Sequence, residues 1–510
     1  MKTPVKFATA SLVVIVGLVA FMVRDNHLVD ERNPSEPTSS SDANTIEFYC
    51  AAGMSKPVDE IIAAYQKDYP DRKVEVSYSG SGTLLTKIRA QKSGDLYLAA
   101  DSSYVQIAKE KEIAEESIPV ARLWPVIVVK KGNPKKILKV SDLLREDVRV
   151  NLGNPEAASV GKKTKKLMTN LGKWGPLLKA VDARGNFKPT VNEIANDVKI
   201  DAADAAIVWN SIASQYPELE SVEIEEAPIG VVTVCVLKYA TLPRATLHFA
   251  RYLCAVDKGL NIFRKHGFEA AEGDLWDERP NIVYFAGGLN RHATEPIISA
   301  FEKREGCTVE TTWMGCGLLV SKMKGGETPD VYHTCDASFH TMVEDRFGKL
   351  INISQTDIII LVPKENPKDI KSLEDLTKPG MKVGIGDPEK TAMGKLTIDL
   401  LKDEGIYNQI EPNIGNPFPE APMVVGQVTQ GALDAGLVYV ANAHAQRDKV
   451  KMIRIDNPLS SATQTYAISK TSKHKQLMQR LLSRLKSSTG QENFINAGFE
   501  IIENPDSENE

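Results

Sequence analysis

The stretch NLGNPEAASVGKKT runs from Asn151 to Thr164, and 233 residues later the chain reads GIGDPEKTAMGKLT from Gly384 to Thr397. In both versions Asn-Pro or Asp-Pro breaks a strand-like end, and small residues then lead into a helical pattern. The match extends outward. IEFYCAAGMSKPVDEIIAAYQ (Ile46–Gln66) pairs with IVYFAGGLNRHATEPIISAFE (Ile282–Glu302), YSGSGTLLTKIRA (Tyr78–Ala90) with WMGCGLLVSKMKG (Trp313–Gly325), and DLYLAADSS (Asp95–Ser103) with DVYHTCDAS (Asp330–Ser338). AAIVWNSIA (Ala205–Ala213) pairs with AGLVYVANA (Ala435–Ala443), and each copy ends near Gly-Phe-Glu. The offset is 235 at Asp101/Asp336, 233 at Pro155/Pro388 and 230 at Trp209/Tyr439. A period this long is a duplicated domain rather than a solenoid unit.

Within each copy short apolar strands alternate with helical segments. Val74–Tyr78 reads as a strand, while Val58, Ile61, Ile62 and Tyr65 recur at helical spacing. Alternating β and α predicts α/β lobes with helices on both faces of a mainly parallel sheet, and ligands at the carboxyl ends of its strands. Four loops in copy one run from strand through small residues into helix: Ala51–Ser55, Ser79–Thr83, Ala99–Ser102 and Asn154–Gly161. Glycine and alanine admit a ligand close to the backbone. The first N–H groups of each following helix lack intrahelical partners, and with the helix dipole they form an anion site that needs no formal cation. Any one such loop reads equally as a plain helix cap; the same four in order, twice, make the stronger signal.

Here the chain resembles the periplasmic molybdate/tungstate-binding proteins of ABC importers, over nearly all of residues 45–273 and 281–503. Gly386-Asp387-Pro388-Glu389-Lys390-Thr391-Ala392-Met393-Gly394 is similar to that family's G-D-P-x-x-x-P-A-G loop, and Leu437-Val438-Tyr439 to its I-V-Y segment. The resemblance implies tandem type II periplasmic-binding modules. Each would be two α/β lobes joined by crossing strands and closing on a ligand by hinge bending. It also implies the ligand positions. In module one these are Gly53 (where the family has serine, with Ser55 as a substitute donor), Ser81, Ala100, Val160, Val191 and Trp209. In module two they are Gly288, Cys316, Cys335, Met393, Val425 and Tyr439. Neither copy keeps the family's full donor set: module one has Trp209 in place of the tyrosine, and module two carries thiols, which are poor donors, where hydroxyl and backbone donors stand.

The chain of 510 residues has 42% hydrophobic and 25% charged residues and a net charge of -5, the mix of a globular multidomain protein. No long basic run supports nucleic-acid binding. Lys2 and Lys6 precede an uncharged run from Phe7 to Val23, about 25 Å as a helix, which reads as a signal peptide or membrane anchor with the bulk outside. The expected layout is therefore signal or anchor 1–24, flexible linker 25–44, module one 45–275, module two 279–503 and a polar tail 504–510.

Six cysteines show no C-x-x-C zinc pattern. Cys235, Cys254 and Cys307 read as buried free thiols. Cys316 and Cys335, with His333 nearby in sequence, leave three readings open: inert small residues, a disulfide or a soft-metal site. His292 and His340 read as solvated helix residues, and Lys162–Lys166 as a solvated helix face.

The leading functional expectation is capture of an oxyanion, molybdate or tungstate, for an ABC permease, with no cofactor and with membrane attachment through the N-terminal helix. A sensory or scaffolding ectodomain with degenerate clefts is the alternative. An enzyme built on a Cys316–His333 nucleophile pair ranks last, because no third group orients the pair.

Overall fold

A computed structural model describes residues 44–502; the expected N-terminal helix and the polar tail lie outside the described residues. Among the described residues no helix is long and apolar enough to cross a membrane. Residues 46–502 form one compact unit.

Module one holds two sheets. The six-stranded sheet has the order Glu269–Ala270, Ala114–Leu123, Gly230–Leu237, Leu96–Ala99, Thr45–Ala51, Lys73–Ser79. The five-stranded sheet runs Phe187–Lys188, Val150–Gly153, Ala205–Trp209, Pro125–Lys130, Leu219–Val222. Central strands such as Leu96–Ala99 and Ala205–Trp209 are buried at every residue, because helices cover both faces. The helix Ser55–Asp68 buries Pro57, Val58, Ile61, Ile62 and Tyr65 on one side, the stripe its sequence spacing predicts.

The sheets are mixed rather than mainly parallel. Phe48 pairs with Leu96 in parallel register, but Gly230–Leu237 runs antiparallel to both Leu96–Ala99 and Ala114–Leu123. The reason lies in the crossing strands: a chain that passes between lobes and returns must oppose its neighbours on one leg.

Module two repeats this plan with one difference. Its crossing strand Ile351–Pro363 is continuous for 13 residues and carries both lobes into a single nine-stranded sheet. In module one the equivalent path breaks at Trp124 before Pro125, and two strands result. Proline brings no N–H to a ladder, so the break falls where the sequence places it.

The modules are docked through charge. Glu305 of module two is 1% exposed and sits between Arg480, at 2.7 Å, and Arg251 of module one, at 4.0 Å. Glu116 of module one is gripped by Arg304 and Arg484 of module two. Between the modules, Asp274 accepts the N–H groups of Gln476 (2.9 Å) and Leu477 (3.0 Å), the free donors that open the helix Lys475–Leu485.

Candidate ligand clefts

In module one three helices begin at one point between the lobes. Ser81 opens Ser81–Gln91, Ser159 opens Ser159–Asn170, and Val191 opens Val191–Lys199. Their first turns, with Gly53, Ala100 and Trp209, line a cavity of about 20 Å³, roughly the room for one water. Among the described residues no acidic, basic or histidine side chain lines it. Ser81 Oγ accepts from the Ala100 N–H (3.2 Å) and from the Ser159 hydroxyl (2.7 Å), which leaves its own proton free to donate. Of the residues the sequence points to, Gly53, Ser81, Ala100, Val160, Val191 and Trp209 meet here; Ser55 does not line the cavity. Ser159 was missed. Its signal was available: a hydroxyl residue opening a helix after alanine, as Ser81 opens one after glycine.

Links of several kinds tie the lobes across this cleft. The Gly82 N–H donates to Ala157 O (2.9 Å), Ser159 to Ser81, and Asn192 Nδ2 to Ala52 O (2.9 Å). The Lys163 ammonium stands 3.1 Å from the Asp101 carboxylate, which is 2% exposed. The approach is close enough that a Cβ on Gly82 would lie 2.0 Å from Glu156 O. Lys163 is thus a cross-cleft contact, and its neighbour Lys162 reaches Ser103 and covers the Tyr104 ring; of the run Lys162–Lys166 these two depart from a solvated face, while Lys165 and Lys166 are exposed.

Module two builds a different cleft from the same loops. Its cavity is about 440 Å³, lined by Gly288, Cys316, Cys335, Met393 and Tyr439 together with Arg291, Glu295, Glu420 and Pro422. None of these links survives in kind. Ser159 becomes Ala392, Lys163 becomes Leu396, and the Asn192 position by helix order is Pro422. Among the described residues no hydrogen bond joins Gly317 to Lys390 O, the counterpart of the Gly82 link. Val425 is a correction. The helix begins at Ala421, so Val425 lies a full turn inside it, 5% exposed in the lobe's apolar core, and Ala421 takes the place facing the cleft. The alignment slipped because a 234-residue offset was carried into a segment where the true offset has fallen to 230.

His333 also departs from expectation. Its ring is fully buried against Tyr284, Tyr466 and Phe494, with Nδ1 2.7 Å from the Tyr284 hydroxyl. Burial drives its pKa down to about 3. Cys316 and Cys335 pack instead with Tyr332 in a separate cluster, so the imagined Cys316–His333 pair does not form. His340, expected to be solvated, is 4% exposed and stacks on Tyr332. All six cysteines are free, with Cys307 the least buried.

The model of a family described as bacterial extracellular solute-binding protein matches residues 46–269 and again 282–500. The chain belongs to this family, in two tandem copies. The matches to two curated relatives each span less than half of this chain but most of the relative. A binding protein of Haemophilus influenzae is 27% identical over 240 residues, 46% of this chain and 95% of that protein. The molybdate-binding protein ModA of Mycobacterium tuberculosis is 27% identical over 228 residues, 43% of this chain and 84% of that protein. The periplasmic molybdate-binding protein of Azotobacter vinelandii aligns structurally with a TM-score of 0.37 at 16% identity, covering 44% of this chain and all of that one. Each copy has a cleft between its lobes, and the two clefts differ.

Proposed function

We propose that the module-one cleft captures a tetrahedral oxyanion, molybdate or tungstate, and that the chain presents it to an ABC permease from a membrane tether at its N-terminus. One observation carries this reading: three helix N-termini and the Ser81 hydroxyl converge on a cavity without a charged side chain. Such a site offers donors only. It suits a fully deprotonated anion, which accepts at every oxygen, and disfavours one that must donate a proton. The names of the molybdate-binding relatives support the same ligand class. The closed cavity has about the volume of one water, so entry requires the lobes to part on their crossing strands.

Calorimetric titration of the full chain with molybdate, tungstate, sulfate and phosphate tests the reading, with Trp209 in the cavity as a fluorescent reporter. The expected result is one selective site, weakened about 10- to 100-fold by Ser81→Ala, the loss of one hydrogen bond to a charged group. No heat and no fluorescence change with any of the four ions overturns it. That outcome favours a scaffolding role, in which the Lys163–Asp101 pair serves to hold an unused cleft shut.

A further inference from the structure

Module two carries at the floor of its cleft what module one lacks: two thiols in contact. Cys316 and Cys335 are 0% and 6% exposed, and both line the 440 Å³ cavity. The Cys335 N–H donates to Cys316 Sγ at 3.2 Å. Both sulfurs crowd the same point, since a Cβ on Gly287 would lie 2.0 Å from one and 2.9 Å from the other. A hydrogen bond between the thiols holds Cys316 below and Cys335 above the ordinary thiol range. A second observation points into the same space. The Tyr439 hydroxyl, on a side chain 2% exposed, lines the cavity and has no hydrogen-bond partner among the described residues.

An oxyanion is poorly served here. Thiols donate weakly, and Pro422 removes an N–H from the helix start. Glu295 and Glu420 add negative charge to the lining. A soft cation is poorly served as well. Two thiolates around a monovalent ion leave a net negative charge in a buried place, which is costly without a partner. The cavity's guanidinium, Arg291, is already paired with Glu295 at 3.2 Å, and His292 sits on the exposed rim. Among the described residues no group of three His, Cys, Asp or Glu side chains is placed to hold a metal ion.

We infer that Cys316, Cys335 and Tyr439 form a binding site for a neutral, thiophilic hydroxide of a trivalent pnictogen, of which arsenous acid is the simplest. Two sulfur–arsenic bonds form and two arsenic–oxygen bonds break. Each departing hydroxyl leaves with one thiol proton as water, so nothing is oxidised or reduced and no charge is buried. The third hydroxyl stays on arsenic, where the Tyr439 hydroxyl meets it with a hydrogen bond. The inference uses module-two residues alone and stands or falls independently of oxyanion capture by module one.

The test is retention of arsenic by the reduced full chain after incubation with sodium arsenite and gel filtration, with X-ray absorption at the arsenic edge. One arsenic per chain is expected, bound by two sulfurs and one oxygen. Cys316→Ser and Cys335→Ala should each abolish retention, and Tyr439→Phe should weaken it several-fold, with circular dichroism and the module-one titration unchanged. No retained arsenic in the parent protein overturns the inference. So does retention that survives loss of either thiol, or stoichiometric binding of silver(I) with none of arsenite.

Discussion

The two clefts are built from the same loops, yet one encloses about 20 Å³ and the other about 440 Å³. The difference is not in the cleft glycines Gly53, Gly80, Gly82 and Gly161, which recur as Gly288, Gly315, Gly317 and Gly394. It lies in side-chain and backbone links across the gap, present in module one and lost in module two through Ser159/Ala392, Lys163/Leu396 and Asn192/Pro422. Closure in this fold is thus set by a few residues on the facing helix starts, and duplication has let the two copies diverge there while the scaffold stayed constant.

The comparison can be broken most forcefully by separating the modules. Glu305→Ala leaves Arg480 of its own module, 6% exposed, and Arg251 of module one without their shared carboxylate, and should cost about 3–5 kcal/mol. Calorimetry should then show two unfolding transitions in place of one; a single undiminished transition would mean the modules do not depend on this contact. Next in size is Gly82→Ala, whose Cβ meets Glu156 O at 2.0 Å and forces the lobes apart at a cost of about 1–3 kcal/mol. Affinity for the module-one ligand should fall with it. Gly317→Ala, 2.5 Å from Glu389 O, should leave that affinity untouched. Wild-type affinity in Gly82→Ala would sink the claim that closure matters.

Acid offers a test of comparable scale. Burial holds His333 neutral with a pKa of about 3, below its unfolded value of about 6.5. The unfolded chain therefore takes up the proton first. The stability His333 contributes is fully present above pH 6.5 and is lost as pH falls toward 3, by about 1.4 kcal/mol per pH unit. Denaturant unfolding across that range should be flatter by about one proton in His333→Phe. An unchanged slope would show that the ring is not kept neutral. The last test is the ion pair. Lys163→Ala leaves the buried Asp101 carboxylate without its cation, should cost about 1–3 kcal/mol and should loosen the module-one cleft, and Leu396→Lys should install the same contact to Asp336 and narrow the module-two cleft. Small-angle scattering or hydrogen exchange at the loops would register both. Identical exchange in Leu396→Lys and the parent would refute the account of why the clefts differ.

The duplication, the α/β lobes and most of one ligand cleft were legible in the sequence, because apolar periodicity and strand–small residue–helix loops are local signals. The family resemblance that those loops carry implies Ser81, Ala100, Val160 and Trp209, and all four line the cleft. What stayed hidden depends on distance in space. Lys163 looks like any lysine on a basic helix face until the opposite lobe brings Asp101 to it. His333 and Cys335 are two residues apart, yet the strand's end sends the histidine ring and the thiol into different clusters. Val425 failed for a third reason: the offset between copies drifts from 235 to 230 along the chain, and a helix start fixes register where a sequence match does not.

The carboxylate of Asp274 caps a helix that begins at Lys475, about two hundred residues further along the chain. This has a consequence for biogenesis. A nascent chain that has completed its first module exposes Asp274 with no donors to receive, and burial in the finished protein is what raises that carboxyl's pKa. The seam between the halves can therefore close only when almost the entire polypeptide has been made, so a chain truncated before Lys475 should keep its docking face raw, an open target for proteases.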